Sequence, residues 1–345
     1  MIGDEEVSIV EEQISVLSAN NVFLIGIVAL FGLNIFTKQF FAGNRAAAEE
    51  NFNTIALVTE FLFIMMPGYL YVLLSGKNVK KVLRLYRLSF WNMILSVAAI
   101  ICAYPGIIFI NFILHIVIDK IGTPIPPPVF DLSSFPKLMV GIAIIAGSAG
   151  ICEEVMFRGV ILRGYEKYGK VLALIISSAL FSIMHMDIQK MVPIFILALL
   201  IGYLVQRTNS IYAGMIAHFI NNSISVVVMF VFGYFAKIQG TSLEEMMKKQ
   251  QTMQVPDSAY IIAGAGFFFI ALVFTAALAG ILMLLRENTK NNQIVEYATV
   301  EQNSQGTSFG QFVPLIPGIS LICLRLAQEA YYILSIPIPE WMKMF

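Results

Sequence analysis

The chain has 345 residues, of which 58% are hydrophobic and 13% are charged, and its mean hydropathy is +0.79. Soluble domains are about one half apolar and about one quarter charged, so this composition excludes an ordinary soluble protein. The 22 basic residues balance the 22 acidic residues without any long basic run, which argues against a nucleic-acid partner. We therefore expect an all-α polytopic membrane protein.

The N-terminal region and the cysteines argue against two further features. Residues 1–12 carry five acids and no base, the wrong charge for a secretory signal, so we expect insertion to begin with the first transmembrane helix. Cys102, Cys152 and Cys323 lie in apolar surroundings without metal-ligand spacing, which disfavours a disulfide framework. Buried free thiols are the expected state of these side chains.

Eight apolar segments approach the roughly 20 residues that are needed to cross the hydrocarbon core of a bilayer. They lie at 22–41, 55–75, 89–118, 138–163, 171–188, 191–206, 211–235 and 259–285. The sequence therefore predicts a bundle of about eight transmembrane helices in a multi-pass protein of the cell membrane. A later apolar segment, 312–338, forms either a ninth span or an interfacial helix, and the prolines within and just after it, Pro314, Pro317, Pro337 and Pro339, favour the interfacial helix.

The predicted spans divide the chain into four regions. Three spans form an N-terminal region, and a proline-rich loop separates them from a core that carries the polar motifs described below. A polar linker and the apolar C-terminal segment end the chain. The boundaries of the four regions are 1–121, 122–137, 138–286 and 287–345. Within the core region, a short helix is expected at 243–251.

The distribution of basic residues predicts an orientation. Segment 76–87 carries five basic residues and no acid, so the positive-inside bias places it in the cytoplasm. The turn at 163–170 then falls on the same side, and eight spans leave both ends of the bundle cytoplasmic. Three lysines, Lys237, Lys248 and Lys249, fall on the other side and oppose this assignment.

Two glutamates and an arginine interrupt the apolar run 141–162. Glu154 and Arg158 are four residues apart and share one helix face, where they can neutralise one another, whereas Glu153 points about 100° away. Charges inside a membrane are costly and usually functional, although a single one can serve only to hold helices together. We interpret Glu153 as the free acid and the other two residues as structural support.

Two histidines in later spans could reach the same depth as Glu153. If the fourth and fifth spans form an antiparallel hairpin that turns near Gly169, Glu153 and His185 each lie sixteen residues, or roughly 24 Å, from the turn. The same rise per residue places His218 within roughly 10 Å of the depth of Glu153 and His185. Asn222 follows His218 by one helical turn. One polar pocket could hold all four side chains.

Such a pocket could activate water. A carboxylate in a low-dielectric site can accept a proton from water, and a nearby imidazole can orient that water, which makes Glu153 and His185 a candidate base pair. His218 and Asn222 can each donate a hydrogen bond to the same point, as the stabilisation of a tetrahedral oxyanion requires. These roles fit peptide-bond hydrolysis. Phe181, four residues before His185, is expected to pack beside the site.

Three patterns carry a resemblance to a known family. E-E-x-x-x-R begins at Glu153, F-x-x-x-H at Phe181 and H-x-x-x-N at His218. In this order and spacing they resemble the signature of the CPBP family, which comprises type II CAAX prenyl endopeptidases and the bacteriocin-processing (Abi) intramembrane proteases. The resemblance covers about 140–235. It implies an eight-helix intramembrane glutamic protease that works without a metal cofactor.

The resemblance also implies roles for individual residues. Glu153 would activate the catalytic water with His185, and His218 and Asn222 would form the oxyanion site. The residues that it implies as supporting the geometry are Glu154, Arg158 and Phe181. Nothing is implied for the segments beyond about 290.

Several alternatives use the same side chains. Glu153, His185 and His218 could form a zinc site with an open position for water, although the H-E-x-x-H helix is absent. A non-catalytic membrane scaffold or a bacteriocin-immunity protein would retain the motifs for binding alone. A transporter would need buried charges in two related halves, whereas these polar groups cluster in one half.

The sequence leaves the substrate open between two classes. The resemblance implies either a CAAX-type C-terminal tail, prenylated or not, or a bacterial precursor of a peptide signal or bacteriocin. Membrane lipid is the other expected partner. Charge counting places the site in mid-membrane or towards the exterior, whereas a CAAX tail is presented from the cytoplasm. The predicted orientation and that substrate therefore conflict.

Overall fold

The computed structural model describes residues 13–42, 44, 47, 50–126, 130, 132–252, 255–290 and 308–342. Helices make up most of these residues and no strand occurs among them, which confirms the predicted all-α class. The acidic N-terminus at 1–12, part of the proline-rich loop and most of the polar linker lie outside the described residues. The predictions made for those segments are therefore not addressed by the structure.

Nine apolar helices build the described part of the chain. They are α1 (Val16–Phe40), α2 (Phe52–Leu74), α3 (Phe90–Ile121), α4 (Phe135–Tyr168), α5 (Lys170–Met184), α6 (Met191–Thr208), α7 (Ile211–Ile238), α8 (Asp257–Asn288) and α9 (Leu315–Ile333). Eight of them are long and apolar enough to cross a membrane, α9 with the short 3₁₀ turn before it, whereas α5 has only 15 residues. A short polar helix, Leu243–Thr252, connects α7 to α8. These helices make the protein a multi-pass membrane protein.

The predicted span 171–188 is wrong at its C-terminal end. Helix α5 stops at Met184, and His185 lies in the turn that follows it. Met186 adopts a left-handed backbone conformation (φ 50°), which a continuing helix does not allow, and Asp187 pairs with Lys190 inside the turn. His185 is therefore a turn residue instead of a residue within a span.

The apolar tail forms a helix of the bundle. Helix α9 packs along α1 and, with the turn before it, has the length and hydropathy of a membrane span, so the choice between a span and an interfacial helix stays a prediction. The four prolines do not interrupt it, because Pro314 and Pro317 lie at its N-cap and in its first turn, and the other two follow its end. Proline is tolerated at these positions, since the first N–H groups of a helix have no partner inside it.

Polar contacts join several helix ends at one face of the bundle. Arg84, before α3, binds Glu166 at the end of α4 (2.5 Å), and Arg163 binds the same carboxylate (2.7 Å). Arg207 of α6 donates to the Thr289 hydroxyl after α8 (2.8 Å). We call this end of the bundle the basic face. It comprises the chain segments 76–87, 163–170, 207–210 and 286–290. It contains the segment predicted to be cytoplasmic.

The remaining helix ends meet at the opposite face. Lys120 of α3 pairs with Asp257 at the start of α8 (2.7 Å). The backbone N–H of Thr123 donates to the carbonyl of Ile333 at the end of α9 (2.7 Å). The Gln189 side chain exchanges two hydrogen bonds of 3.0 Å with the backbone of the loop after α3. The turn that carries His185 therefore lies at this face.

Two features of α4 bring its acids towards α7. The helix has two π-helical segments, Ile142–Ser148 and Val155–Ile161, and the paired glutamates lie between them. Gly150 allows a close approach, because a Cβ atom there would lie 3.2 Å from the Phe219 backbone nitrogen and 3.3 Å from the Met215 carbonyl oxygen. The backbones of α4 and α7 thus contact one another one turn from the acids.

Candidate active site

Glu154 and Arg158 form a buried ion pair on α4. Arg158 Nη1 donates to Glu154 Oε1 over 2.9 Å, and Nη2 donates to the Ala198 carbonyl of α6 over 3.0 Å. The Phe181 ring lies beneath the guanidinium, 4.7 Å from its Cζ atom. A buried charge is tolerated when it is paired and hydrogen-bonded in this way. The pair is where the i, i+4 spacing predicted it.

His218 lies between the two adjacent glutamates. Its Nδ1 is 3.0 Å from Glu154 Oε1, and its Nε2 is 3.8 Å from Glu153 Oε2. Because the Glu154 carboxylate is paired with a guanidinium and can only accept, Nδ1 carries the proton of this hydrogen bond. The second ring nitrogen therefore faces Glu153. Gly214, one turn earlier, leaves room for this contact, since a Cβ atom there would lie 2.6 Å from Glu154 Oε2.

Glu153 is buried, and its Oε2 has no hydrogen-bond partner within the described residues. A second carboxylate, Glu60 of α2, is close enough for the two charges to interact, and its Oε2 is likewise buried and unpartnered there. Glu60 lies in the π-helical segment Thr59–Met65, which packs against the turn of α4 that carries Glu153.

Glu60 was not predicted as a site residue, although the sequence contains a signal for it. It is the only charged residue of the predicted span 55–75, and a charge inside a span is itself a functional signal. Glu60 lies far from the three motifs in sequence. Only the packing of α2 on α4 brings it to Glu153.

His185 does not contact Glu153 directly. Its Nδ1 is 2.9 Å from the Phe181 carbonyl oxygen, and within the described residues no hydrogen bond or ion pair joins it to Glu153. The Phe181 ring contacts both histidines, with centroid distances of 4.9 Å to His185 and 5.8 Å to His218. The structure thus brings Glu153, Glu154 and His218 together, and His185 is connected to them through the Phe181 ring.

Asn222 lies one turn after His218 on α7. Its Nδ2 donates to the Ile145 carbonyl, in the first π-helical segment of α4, over 3.3 Å. Asn221 donates to the Asn222 side-chain oxygen over 3.0 Å. An amide has two N–H donors, so one contact to Ile145 leaves a second N–H for a ligand.

A cavity of about 390 Å³ opens beside His185. Its walls come from α1, α2, α9 and the turn after α5. Thr59, next to Glu60, also lines it, whereas Glu153 and His218 do not. Of the predicted site residues, His185 alone lies on this cavity.

The side chains do not fit the zinc alternative. Across the described ranges, no three His, Cys, Asp or Glu side chains are grouped closely enough to hold a metal ion. Of the proposed ligands, Glu153 and His218 lie 3.8 Å apart, whereas no hydrogen bond or ion pair among the described residues joins His185 to either of them.

Known proteins resemble the segment that contains these residues. Residues 135–224 match the family model described as type II CAAX prenyl endopeptidase Rce1-like. A curated relative, the putative membrane peptidase YdiL of Bacillus subtilis (strain 168), is 30% identical over 101 residues, which cover 29% of this chain and 41% of the relative. No solved structure matches. The resemblance inferred from the three motifs is thereby confirmed: the segment that carries every predicted site residue is similar to the Rce1-like type II CAAX prenyl endopeptidases.

Proposed function

We propose that this protein is a membrane-embedded endopeptidase of the CAAX/CPBP type that hydrolyses a peptide bond with a water molecule activated by Glu153. The observation that carries the proposal is the buried His218 ring between Glu153 and Glu154, within the segment that matches an endopeptidase family. Glu60, Glu153 and Glu154 each have a buried carboxylate oxygen without a hydrogen-bond partner among the described residues, and such atoms are costly to bury unless a ligand such as water binds them.

The pairing within the cluster supports a base at Glu153. The Glu154 carboxylate is already bound by Arg158, which leaves the Glu153 carboxylate to accept a proton. In the first step Glu153 accepts a proton from water while the water oxygen forms a bond to the peptide carbonyl carbon. In the second step the C–N bond breaks, and the proton passes from Glu153 to the leaving nitrogen.

His218 and Asn222 would stabilise the oxyanion formed in the first step. With Nδ1–H bound to Glu154, His218 can donate from Nε2 to an oxyanion only as an imidazolium. The second N–H of Asn222 supplies another donor one turn away. The loss of one such donor typically lowers kcat by about 10²-fold to 10³-fold.

His185 would assist from the cavity. Its Nδ1 bonds a backbone carbonyl, which can only accept, so in the neutral ring Nε2 is free to accept a proton or to orient a water. Because this residue lies on a turn beside the cavity, it can meet a substrate that enters there. Its partnership with Glu153 would run through the water and not through a direct contact.

Two substrate classes remain compatible with these roles. One is a CAAX-type C-terminal tail, and the other is a bacterial precursor of a peptide signal or bacteriocin. In either case the substrate reaches the enzyme through the cell membrane, whose lipid surrounds the helices. The chemistry proposed here uses no metal or other cofactor.

The test uses the full-length protein purified in detergent micelles, with a fluorogenic farnesylated CAAX peptide and a hydrophobic precursor peptide as probes. We expect hydrolysis of at least one probe by the wild type, and a loss of about 10²-fold or more in Glu153→Gln. A chelator should leave the rate unchanged. Glu287→Gln, an exposed carboxylate at the end of α8, is the matched control. Full activity in Glu153→Gln, or its loss on chelation, would contradict the mechanism.

A further inference from the structure

The turn that carries His185 has a backbone conformation that its own sequence does not favour. Met186 has a φ of 50°, in the left-handed region, which is costly for a methionine. No glycine or proline between Met184 and Ile188 requires the helix to end there. A strained conformation of this kind persists only where surrounding groups hold it. The contacts that hold this turn therefore determine where the chain runs directly after His185.

Side chains of the turn supply part of this restraint. Asp187 Oδ1 accepts a hydrogen bond from the Gln189 backbone N–H over 3.0 Å, and Asp187 Oδ2 pairs with Lys190 over 2.7 Å. The Gln189 side chain exchanges two hydrogen bonds with the Ile125 backbone in the loop after α3. These contacts leave the Ile188 N–H to another partner.

That partner belongs to the C-terminal helix α9. Glu329 Oε2 accepts a hydrogen bond from the Ile188 backbone N–H over 2.9 Å, and only 7% of the Glu329 side chain is exposed. Arg325 lies on the other side of this carboxylate, with its Nη2 3.5 Å from Oε1. A donor and an acceptor that meet away from water are costly to separate, because each is left without a partner. The hydrogen bond therefore attaches α9 to the chain three residues after His185.

Helix α9 and this turn also share the cavity beside His185. Glu329, His185, Met186 and Asp187 all line it. A change of Met186 to a helical conformation would extend α5 and move the chain that follows His185, so the wall of the cavity would change. In the proposed reaction His185 orients a water from this cavity, and a displacement of about 1 Å in a catalytic site can cost about 10²-fold in rate. The position of this turn is therefore important for the role of His185.

We propose that Glu329 is a positioning residue for His185, which it holds in place by accepting the hydrogen bond from the Ile188 N–H. The proposal rests on the proposed peptidase function, in which His185 assists Glu153. Glu329 contacts neither of these two side chains in this role and acts through the turn alone. Helix α9 lies outside the matched segment 135–224, so the similarity to known peptidases does not account for this contact. The C-terminal helix thereby supports the active site.

Two substitutions in the full-length protein separate the hydrogen-bond acceptor from the charge of Glu329. Glu329→Leu removes the acceptor, so we expect kcat to fall at least about tenfold for the peptide that the wild type hydrolyses. Glu329→Gln removes the charge but keeps an acceptor oxygen, so its kcat should stay within about threefold of the wild-type value. Gln311→Leu removes a hydrogen bond between the C-terminal segment and Lys167 at the basic face. It is the matched control and should keep the wild-type kcat.

A double variant distinguishes positioning from a general loss of stability. His185→Ala lacks the side chain that Glu329 positions, so the addition of Glu329→Leu should lower the residual rate by less than about twofold. A general structural defect would lower the rate by the same factor in both backgrounds. Hydrogen exchange, measured by mass spectrometry, reports on the turn without any need for activity. Exchange of the backbone N–H groups of 186–190 should be faster in Glu329→Leu than in the wild type or Glu329→Gln, and exchange in α6 should be unchanged.

Three results would overturn the proposal: an unchanged kcat in Glu329→Leu, an equal loss in Glu329→Gln and Glu329→Leu, or the full loss again in the His185→Ala background. These results are distinguishable from a failure of the proposed function. If Glu153→Gln hydrolyses peptides as fast as the wild type while the Glu329 variants behave as expected, only the catalytic role of Glu153 is refuted. If the wild type hydrolyses neither peptide, unchanged hydrogen exchange in Glu329→Leu still overturns the proposal, and faster exchange in the turn supports it.

Discussion

At the scale of single residues, the polar groups around Glu153 determine the chemistry available to the protein. His218 connects Glu153 to the Glu154–Arg158 pair, and Glu60 approaches Glu153 from α2. The Glu60 carboxyl group therefore belongs to the same buried polar cluster as the proposed base.

The variant Glu60→Gln tests whether this carboxyl group influences Glu153. It keeps the shape of the side chain but removes the carboxyl group that interacts with Glu153, so we expect kcat to fall about tenfold while KM stays unchanged. Steady-state kinetics on purified protein measure both constants. Glu50→Gln, at an exposed position before α2, is the control and should behave as the wild type. An unchanged kcat in Glu60→Gln would show that the two carboxylates act independently.

At the scale of secondary structure, the contact between α4 and α7 holds the site together. Gly150 lets the two backbones approach, and the π-helical segments on either side of the glutamates alter the helix phase around them. Segments of this kind are rare and occur frequently at functional sites. The distance between Glu154 and His218 therefore depends on the absence of a side chain one turn away.

The variant Gly150→Ala should separate these helices. A methyl group would press against the backbone of α7, so we expect a loss of about 1–3 kcal/mol in stability and at least about a tenfold loss of activity. Thermal unfolding in detergent and the peptide assay measure the two effects. Gly233→Ala on α7, where nothing lies within 4 Å of the new methyl group, should leave both unchanged. Equal behaviour of the two variants would show that the close approach is not needed.

At the scale of the whole molecule, the bundle has two unlike faces. The basic face contains the segments 76–87 and 163–170, whereas the cavity with His185 lies towards the opposite face. The positive-inside rule places the basic face in the cytoplasm. Helix α9 begins near the basic face, where Gln311 binds Lys167, and ends at the opposite face, so the helix bundle starts and finishes on different sides.

Cysteine labelling in intact cells tests this arrangement. In a background without native cysteines, we expect Gln239→Cys, after α7, to react with a membrane-impermeant maleimide. Lys81→Cys, in the basic face, should react only after permeabilisation. This result would favour substrates presented from outside the cytoplasm. The reverse pattern would place the cavity towards the cytoplasm, where a CAAX tail is presented.

Sequence patterns predicted most of the helices and part of the site, and the exceptions have physical reasons. Apolar runs of sufficient length indicate spans directly, and four-residue spacings predicted the Glu154–Arg158 pair. The end of α5 could not be predicted, because no glycine or proline occurs between Met184 and Ile188 and the helix ends only where Met186 adopts a left-handed backbone conformation. Glu60 escaped notice because its relation to Glu153 arises from tertiary packing alone.

The central claim, that Glu153 drives proteolysis, is tested most directly by comparing new protein termini in membranes of cells that express the wild type, Glu153→Gln or Glu287→Gln at matched levels. The account predicts a set of cleaved peptides that the wild type and Glu287→Gln share and that Glu153→Gln lacks. Identical termini in all three samples would contradict it and would leave a non-catalytic membrane scaffold whose glutamate is structural.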